Sequence, residues 1–91
     1  MTTSDVGAHV QAQEGLPAPD AEVNARGLNC PLPILRAKKA LATLQSGQVL
    51  RVEATDPGSK QDFSAFCQQT GNALLAQIDE EDVSIFFIRR R

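Results

Sequence analysis

Apolar residues after position 20 fall into six short runs, some with the two-residue period of a strand and some with the spacing of a helix face. Glu22-Val23-Asn24-Ala25 reads as a short strand closed by Arg26-Gly27. A helix is predicted from Pro31 to about Leu44, because Ile34, Ala37, Ala40, Leu41 and Leu44 share one face while Arg36, Lys39 and Thr43 share the other. Ser46-Gly47 ends it, with Gly47 expected as the residue just past the helix. In Gln48–Ala54, Leu50, Val52 and Ala54 point one way and Arg51 and Glu53 the other, which predicts a second strand.

Asp56-Pro57-Gly58-Ser59 is turn chemistry, and Ser59 with Asp62 has the spacing of a capping box. The second helix runs to about Thr70 and buries Phe63, Phe66, Cys67 and Thr70 before Gly71-Asn72 stops it. Leu74–Ile78 reads as a third strand and Asp79–Asp82 as an acidic hairpin loop. Val83–Ile88 is apolar on both faces and is expected inside the sheet. Two helices cannot cover both faces of four strands. The expected fold is therefore an α+β two-layer sandwich, βαβαββ, with a four-stranded mixed sheet and both helices on one face. The other face, carrying Val49, Arg51 and Leu75, is expected to be partly apolar and open.

Residues 1–20 are rich in Ala, Gln, Gly, Thr and Pro and show no such order, so they are expected to be a disordered tail ahead of a domain at 21–91. The only histidine, His9, lies in that tail. The tail also holds Asp5, Glu14 and Asp20 and no basic residue, which leaves nine basic against eight acidic residues in the domain. Near neutrality gives no global field toward DNA or a membrane. No apolar run approaches a membrane span, and the first residues lack a secretory pattern, so the expected location is cytoplasmic. Two cysteines in 91 residues do not make a disulfide framework and should both start as thiols.

These absences narrow the chemistry. A Ser-His-Asp or Cys-His arrangement needs a placed histidine, and zinc needs about four ligands at set spacings. Neither pattern occurs, nor does CxxC or a glycine-rich phosphate loop. Single-cysteine chemistry remains. Cys30 stands in Asn29-Cys30-Pro31-Leu32-Pro33, at or beside the cap of the first helix, where free N–H groups and the helix dipole favour an anion. Its thiol is expected to ionise more easily than free cysteine, whose pKa is roughly 8.5. Pro31 and Pro33 have no N–H, so the donors left to reach the sulfur are those of Leu32 and Ile34. Arg26, Arg36, Lys38 and Lys39 are close in sequence and open to three roles: stabilising a thiolate or persulfide, attracting an acidic partner, or simply meeting solvent. Asp56 is either a polar neighbour of Cys30 or a turn former. Cys67, on the apolar stripe, reads as an inert core thiol.

Arg26-Gly27-Leu28-Asn29-Cys30-Pro31-Leu32-Pro33, the basic helix after it, Asp56-Pro57 and Phe66-Cys67 together resemble the TusA, or SirA-like, family of sulfur-carrier proteins over about residues 22–90. The resemblance implies that Cys30 takes up sulfane sulfur as a persulfide and passes it to a partner protein. It implies no cofactor beyond that transient persulfide. A cysteine desulfurase or rhodanese-like protein is the implied donor, and a second protein the acceptor, with Asp56 serving transfer. The implied pathways are tRNA thiolation, sulfur oxidation and cofactor sulfuration. Members serving tRNA thiolation often carry Asp where this chain has Asn24 and Glu where it has Leu32. Both differences remove negative charge near the thiol and leave the nucleophile in place. Two other readings stay open on residues alone: a regulatory module binding RNA or protein, and a thiol redox sensor.

Overall fold

The computed structural model describes residues 16–91. Its elements run β1 (Ala21–Ala25), α1 (Leu32–Ala42), β2 (Val49–Ala54), α2 (Ser59–Thr70), β3 (Ala73–Glu80) and β4 (Val83–Arg89). The sheet order is β1-β2-β4-β3. β1 pairs parallel with β2, and β4 pairs antiparallel with both β2 and β3, so the sheet is mixed. This is the expected α+β two-layer sandwich.

The core lies where alternation on the strands meets the helical stripes. Leu50, Val52 and Ala54 of β2 and Phe86 and Ile88 of β4 are buried with Ala37 and Leu41 of α1 and Phe63 and Cys67 of α2. Phe63 and Phe86 stack with ring centroids 4.6 Å apart. Gly71 closes α2 at φ 83°, and its N–H donates to the Cys67 carbonyl, a left-handed stop that only glycine takes without strain.

Four local expectations change. α1 ends at Ala42 rather than near Leu44, because the Thr43 N–H and hydroxyl both turn back to the Ala40 carbonyl. Gly47 is therefore not that helix's stop. It lies farther along the loop at φ 89°, and its N–H donates to Arg90. The capping box is absent: α2 begins after Gly58 with no side-chain cap, and the buried Ser59 hydroxyl has no partner among protein atoms. The acidic hairpin is shorter than expected. Asp79 and Glu80 belong to β3, which leaves Glu81-Asp82 as a two-residue turn with Glu81 at φ 47°.

The sheet face away from the helices is less open than expected. Val49, Ile85 and Phe87 are buried there, and Leu16, Ala76, Ile78 and Val83 pack against them. Leu75 stands beside an irregularity in the β3 register and stays exposed. Asp20 donates its N–H to the Val49 carbonyl at 2.7 Å and accepts the Val49 N–H through its carboxylate at 2.8 Å. Among the described residues, contacts with the sheet reach back through Asp20 to Leu16, which lies in the segment expected to be a tail. Residues 1–15, with His9 and most of the expected tail, lie outside the described residues. Among the described residues no helix is long and apolar enough to cross a membrane, and no group of acidic, His and Cys side chains is placed to hold a metal.

Candidate functional site

Topology gathers the site. Because β1 and β2 run parallel, their carboxyl ends and the starts of α1 and α2 share one edge of the sheet. The loop after β1 carries Cys30, and the loop after β2 carries Asp56. A cross-loop hydrogen bond fastens them: the Gly27 N–H donates to Thr55 Oγ1 at 2.9 Å. Gly27 holds φ 82°, which lets the chain leave β1 sharply. The Leu28 N–H returns to the Ala25 carbonyl at 3.2 Å. Cys30 then projects as an exposed, free thiol.

The thiol lies one residue outside the helix cap, which is Pro31. Pro33 enters the first turn and is buried, so it anchors the start of α1 against the core. The Leu32 N–H, expected to face the sulfur, instead donates to the Asn29 carbonyl at 2.8 Å. Asn29 thus acts through its backbone. Pro31 and Pro33 offer no N–H, and that of Leu32 is occupied, so fewer donors are free to favour an anion than the sequence suggested.

What stands beside the sulfur is acidic. Hydrogen bonding to the Asp62 carboxylate raises the Cys30 thiol above its ordinary range, and desolvation and the charges of Asp62 and Asp56 push the same way. This corrects the expected direction. Asp62, placed by spacing in a capping box, is the site residue that sequence reasoning missed. The usable signal was the shared sheet edge: any acidic residue in the first turn of α2 comes near whatever starts α1. Asp56 proves to be both things the sequence allowed. Its carboxylate accepts the Gly58 N–H at 3.1 Å, a turn-forming bond, and its charge also reaches the thiol.

The basic residues do not converge on the sulfur. Arg26 is tied back to Asn24 Oδ1 by its backbone N–H and its Nε, both at 3.1 Å, and its Nε lies 3.4 Å from Glu53. Arg36 and Lys39 are exposed on α1. Lys38 lines a different cleft, at the far ends of the helices, together with Arg90 and Arg91. The start of α1 beyond Cys30 instead presents apolar side chains to solvent. Leu32 and Leu35, three residues apart on one helix face, are about half exposed at 46% and 51%. The second sulfur, Cys67, is 5% exposed in the core, where burial pushes its thiol up.

The sheet edge thus joins an exposed thiol before a proline-led helix to the loop that carries an Asp-Pro turn. The family profile described as Sulfurtransferase TusA matches residues 21–90. The chain belongs to the TusA family. It is 58% identical over 71 residues to a sulfur carrier protein TusA from Allochromatium vinosum, covering 78% of this chain and 93% of that protein. It is 40% identical over 72 residues to a sulfur carrier protein TusA from Pseudomonas entomophila, covering 79% of this chain and 90% of the relative. Among solved structures, a SirA-like protein from Desulfitobacterium hafniense superposes with a TM-score of 0.68 at 30% identity, over 76% of this chain and 95% of that one. The sandwich, its mixed sheet and its paired helices are thus those of the TusA family.

Proposed function

We propose that this TusA-family chain is a sulfurtransferase of the carrier kind, which holds one sulfane sulfur as a persulfide on Cys30 and relays it between two proteins. The observation that carries the reading is the contrast in access: Cys30 is exposed at the joined loops, while Cys67 is in the core. The step balances without oxidant or reductant. The Cys30 thiolate attacks the outer sulfur of a donor persulfide, and the donor's sulfur–sulfur bond breaks. The donor leaves as a thiolate and takes up the proton that Cys30 released. Delivery repeats the exchange, with an acceptor thiolate attacking the outer sulfur held on Cys30.

The local chemistry gives each neighbour a task. Asp62, whose carboxylate acts most strongly on the thiol, is the group we assign to receive its proton. Its negative charge also disfavours ionisation of the thiol, which makes the carrier on its own a restrained nucleophile. Exposed Leu32 and Leu35 offer an apolar rim on which a partner protein excludes water. The donor is a persulfide-forming protein such as a cysteine desulfurase or a rhodanese-like protein, and the acceptor a second protein. The exchange belongs to a reducing compartment, the cytoplasm, where both cysteines start as thiols.

Incubation with a cysteine desulfurase and cysteine should add ~32 Da to the intact protein, mapped by peptide mass spectrometry to Cys30. Cys30→Ala should abolish the adduct and Cys67→Ala should retain it. An adduct that survives Cys30→Ala and disappears in Cys67→Ala would defeat the assignment.

A further inference from the structure

The carboxyl ends of the two helices form a second cleft, remote from Cys30 along α1. Its cavity is about 300 Å³, at the lower end of the range for small-molecule sites. Leu41 and Phe66 supply apolar lining, and Lys38, Arg90 and Arg91 supply three cations. No acidic side chain lines it. The cleft at the sulfur-bearing edge has the opposite character, with Asp56, Asp79, Glu81 and Asp82 around a single Lys60 that is already paired to Asp79 at 2.9 Å.

The basic cleft is built. The Arg91 N–H donates to Asn72 Oδ1 at 2.8 Å, and its guanidinium donates to the Thr70 carbonyl at 3.1 Å. The Arg91 stem lies across Gly71, where a Cβ would sit only 2.8 Å from Arg91 Cδ. The missing side chain at Gly71 therefore makes room for the arginine. Arg90 is fixed through its backbone, donating to Gln48 and accepting from Gly47, both at 2.8 Å. Cations at helix carboxyl ends satisfy helix dipoles, and Arg91 does this for α2. That need does not explain Lys38 and Arg90, which form no ion pair among the described residues. The cleft thus gathers three cationic side chains and no acidic one, a local positive field that favours an anionic ligand.

We propose that this cleft binds a small amphipathic anion, with a phosphate held by Lys38, Arg90 and Arg91 and a flat apolar body seated against Leu41 and Phe66. Adenosine monophosphate is a suitable probe because it joins both parts, while inorganic phosphate and adenosine test each part alone. In a titration of the full-length, ¹⁵N-labelled protein, adenosine monophosphate should shift the amides of Lys38, Thr70, Asn72, Arg90 and Arg91 in a saturable, salt-sensitive way. Phosphate and adenosine should each bind at least tenfold more weakly. Arg90→Gln and Lys38→Gln should each weaken binding, with the amide spectrum of the sheet unchanged as the control for folding. No saturable shift by about 10 mM, a concentration that reaches even binding weaker than −4.1 kcal/mol, overturns the proposal. So do shifts spread equally over Arg26, Arg51 and Arg89, phosphate binding as tight as that of the nucleotide, or unchanged affinity in both variants.

Discussion

Cys30 and Cys67 carry the same side chain, and both thiols sit above their ordinary range, yet the leading cause differs. Cys67 is raised by burial, which lasts as long as the fold lasts. Cys30 is raised first by a hydrogen bond to Asp62, on a surface that water and other proteins can reach. A carboxylate's hold can be relieved by a cation or by withdrawing its hydrogen bond, and burial cannot. Readiness to ionise therefore does not single out the sulfur proposed as the carrier site. Access does, since Cys30 is exposed and Cys67 is buried.

The largest expected effect is a direct test of access. Iodoacetamide at pH 8 should label Cys30 in the native protein, while Cys67 should react only through opening of the fold. With stability of about 5 kcal/mol, that opening slows Cys67 by a factor of roughly a thousand or more. Peptide mapping against time measures both rates. Labelling of the two at similar rates would break the comparison at its base.

Stability should separate the pair in the other direction. Cys67 packs among Phe63, Leu41 and the rest of the core, so Cys67→Ser places a hydroxyl there and should cost about 1–3 kcal/mol. Cys30→Ser, on the surface, should stay within about 0.5 kcal/mol of the parent. Urea unfolding followed by far-ultraviolet dichroism gives both numbers. A surface-like cost at Cys67 would mean that its neighbours rearrange around the change.

The same contrast shows what the residue order made legible. Helical spacing put Cys67 on a stripe with Phe63, and strand alternation put Leu50, Val52 and Ala54 in one core, because burial is a periodic property that a linear pattern records. Cys30's exposure was readable from its place before the Pro31-Leu32-Pro33 run. Its electrostatics were not. Basic residues near in sequence suggested a cationic site, but Lys38 rises along α1 to the other end of the molecule, and Arg26 turns back to Asn24 and Glu53. The charge that matters comes from Asp62, 32 residues later, and only strand pairing brings it to the thiol. The capping-box spacing even pointed that carboxylate to a different task. Long-range juxtaposition is set by topology, and spacing alone does not contain it.

Asp62→Asn sharpens the comparison at a smaller scale. It removes the charge and weakens the hydrogen bond that raise the Cys30 thiol, so the pH profile of alkylation should move to lower pH. At pH 7.5 the variant should react several-fold faster than the parent. Asp56→Asn should act in the same direction and less strongly, because its influence is through charge alone. Labelling of Cys67 in the unfolding-limited regime should not change. If Asp62→Asn leaves the Cys30 profile in place, the restraint on the carrier comes from elsewhere, and relief of Asp62 by a partner loses its basis.

The smallest effect lies in alkaline stability and belongs to Cys67. Burial raises its thiol in the folded chain, so the folded state keeps that proton to higher pH than the unfolded state does. A raised folded value contributes stability that is complete below the unfolded thiol's value, about 8.5, and is lost as pH rises through the folded one. The melting temperature should therefore decline above about pH 8.5, partly on account of this group. Cys67→Ala starts from lower stability but lacks the proton, so its decline over the same interval should be shallower. Every other group is common to the two proteins and cancels in the difference. Cys30→Ala should leave the slope nearer the parent's, since its thiol is exposed and Asp62's hold on it is screened by solvent. Parallel curves for parent and Cys67→Ala would show that the core thiol ionises without cost, which a sulfur packed against Phe63 and Leu41 cannot do while the fold is intact.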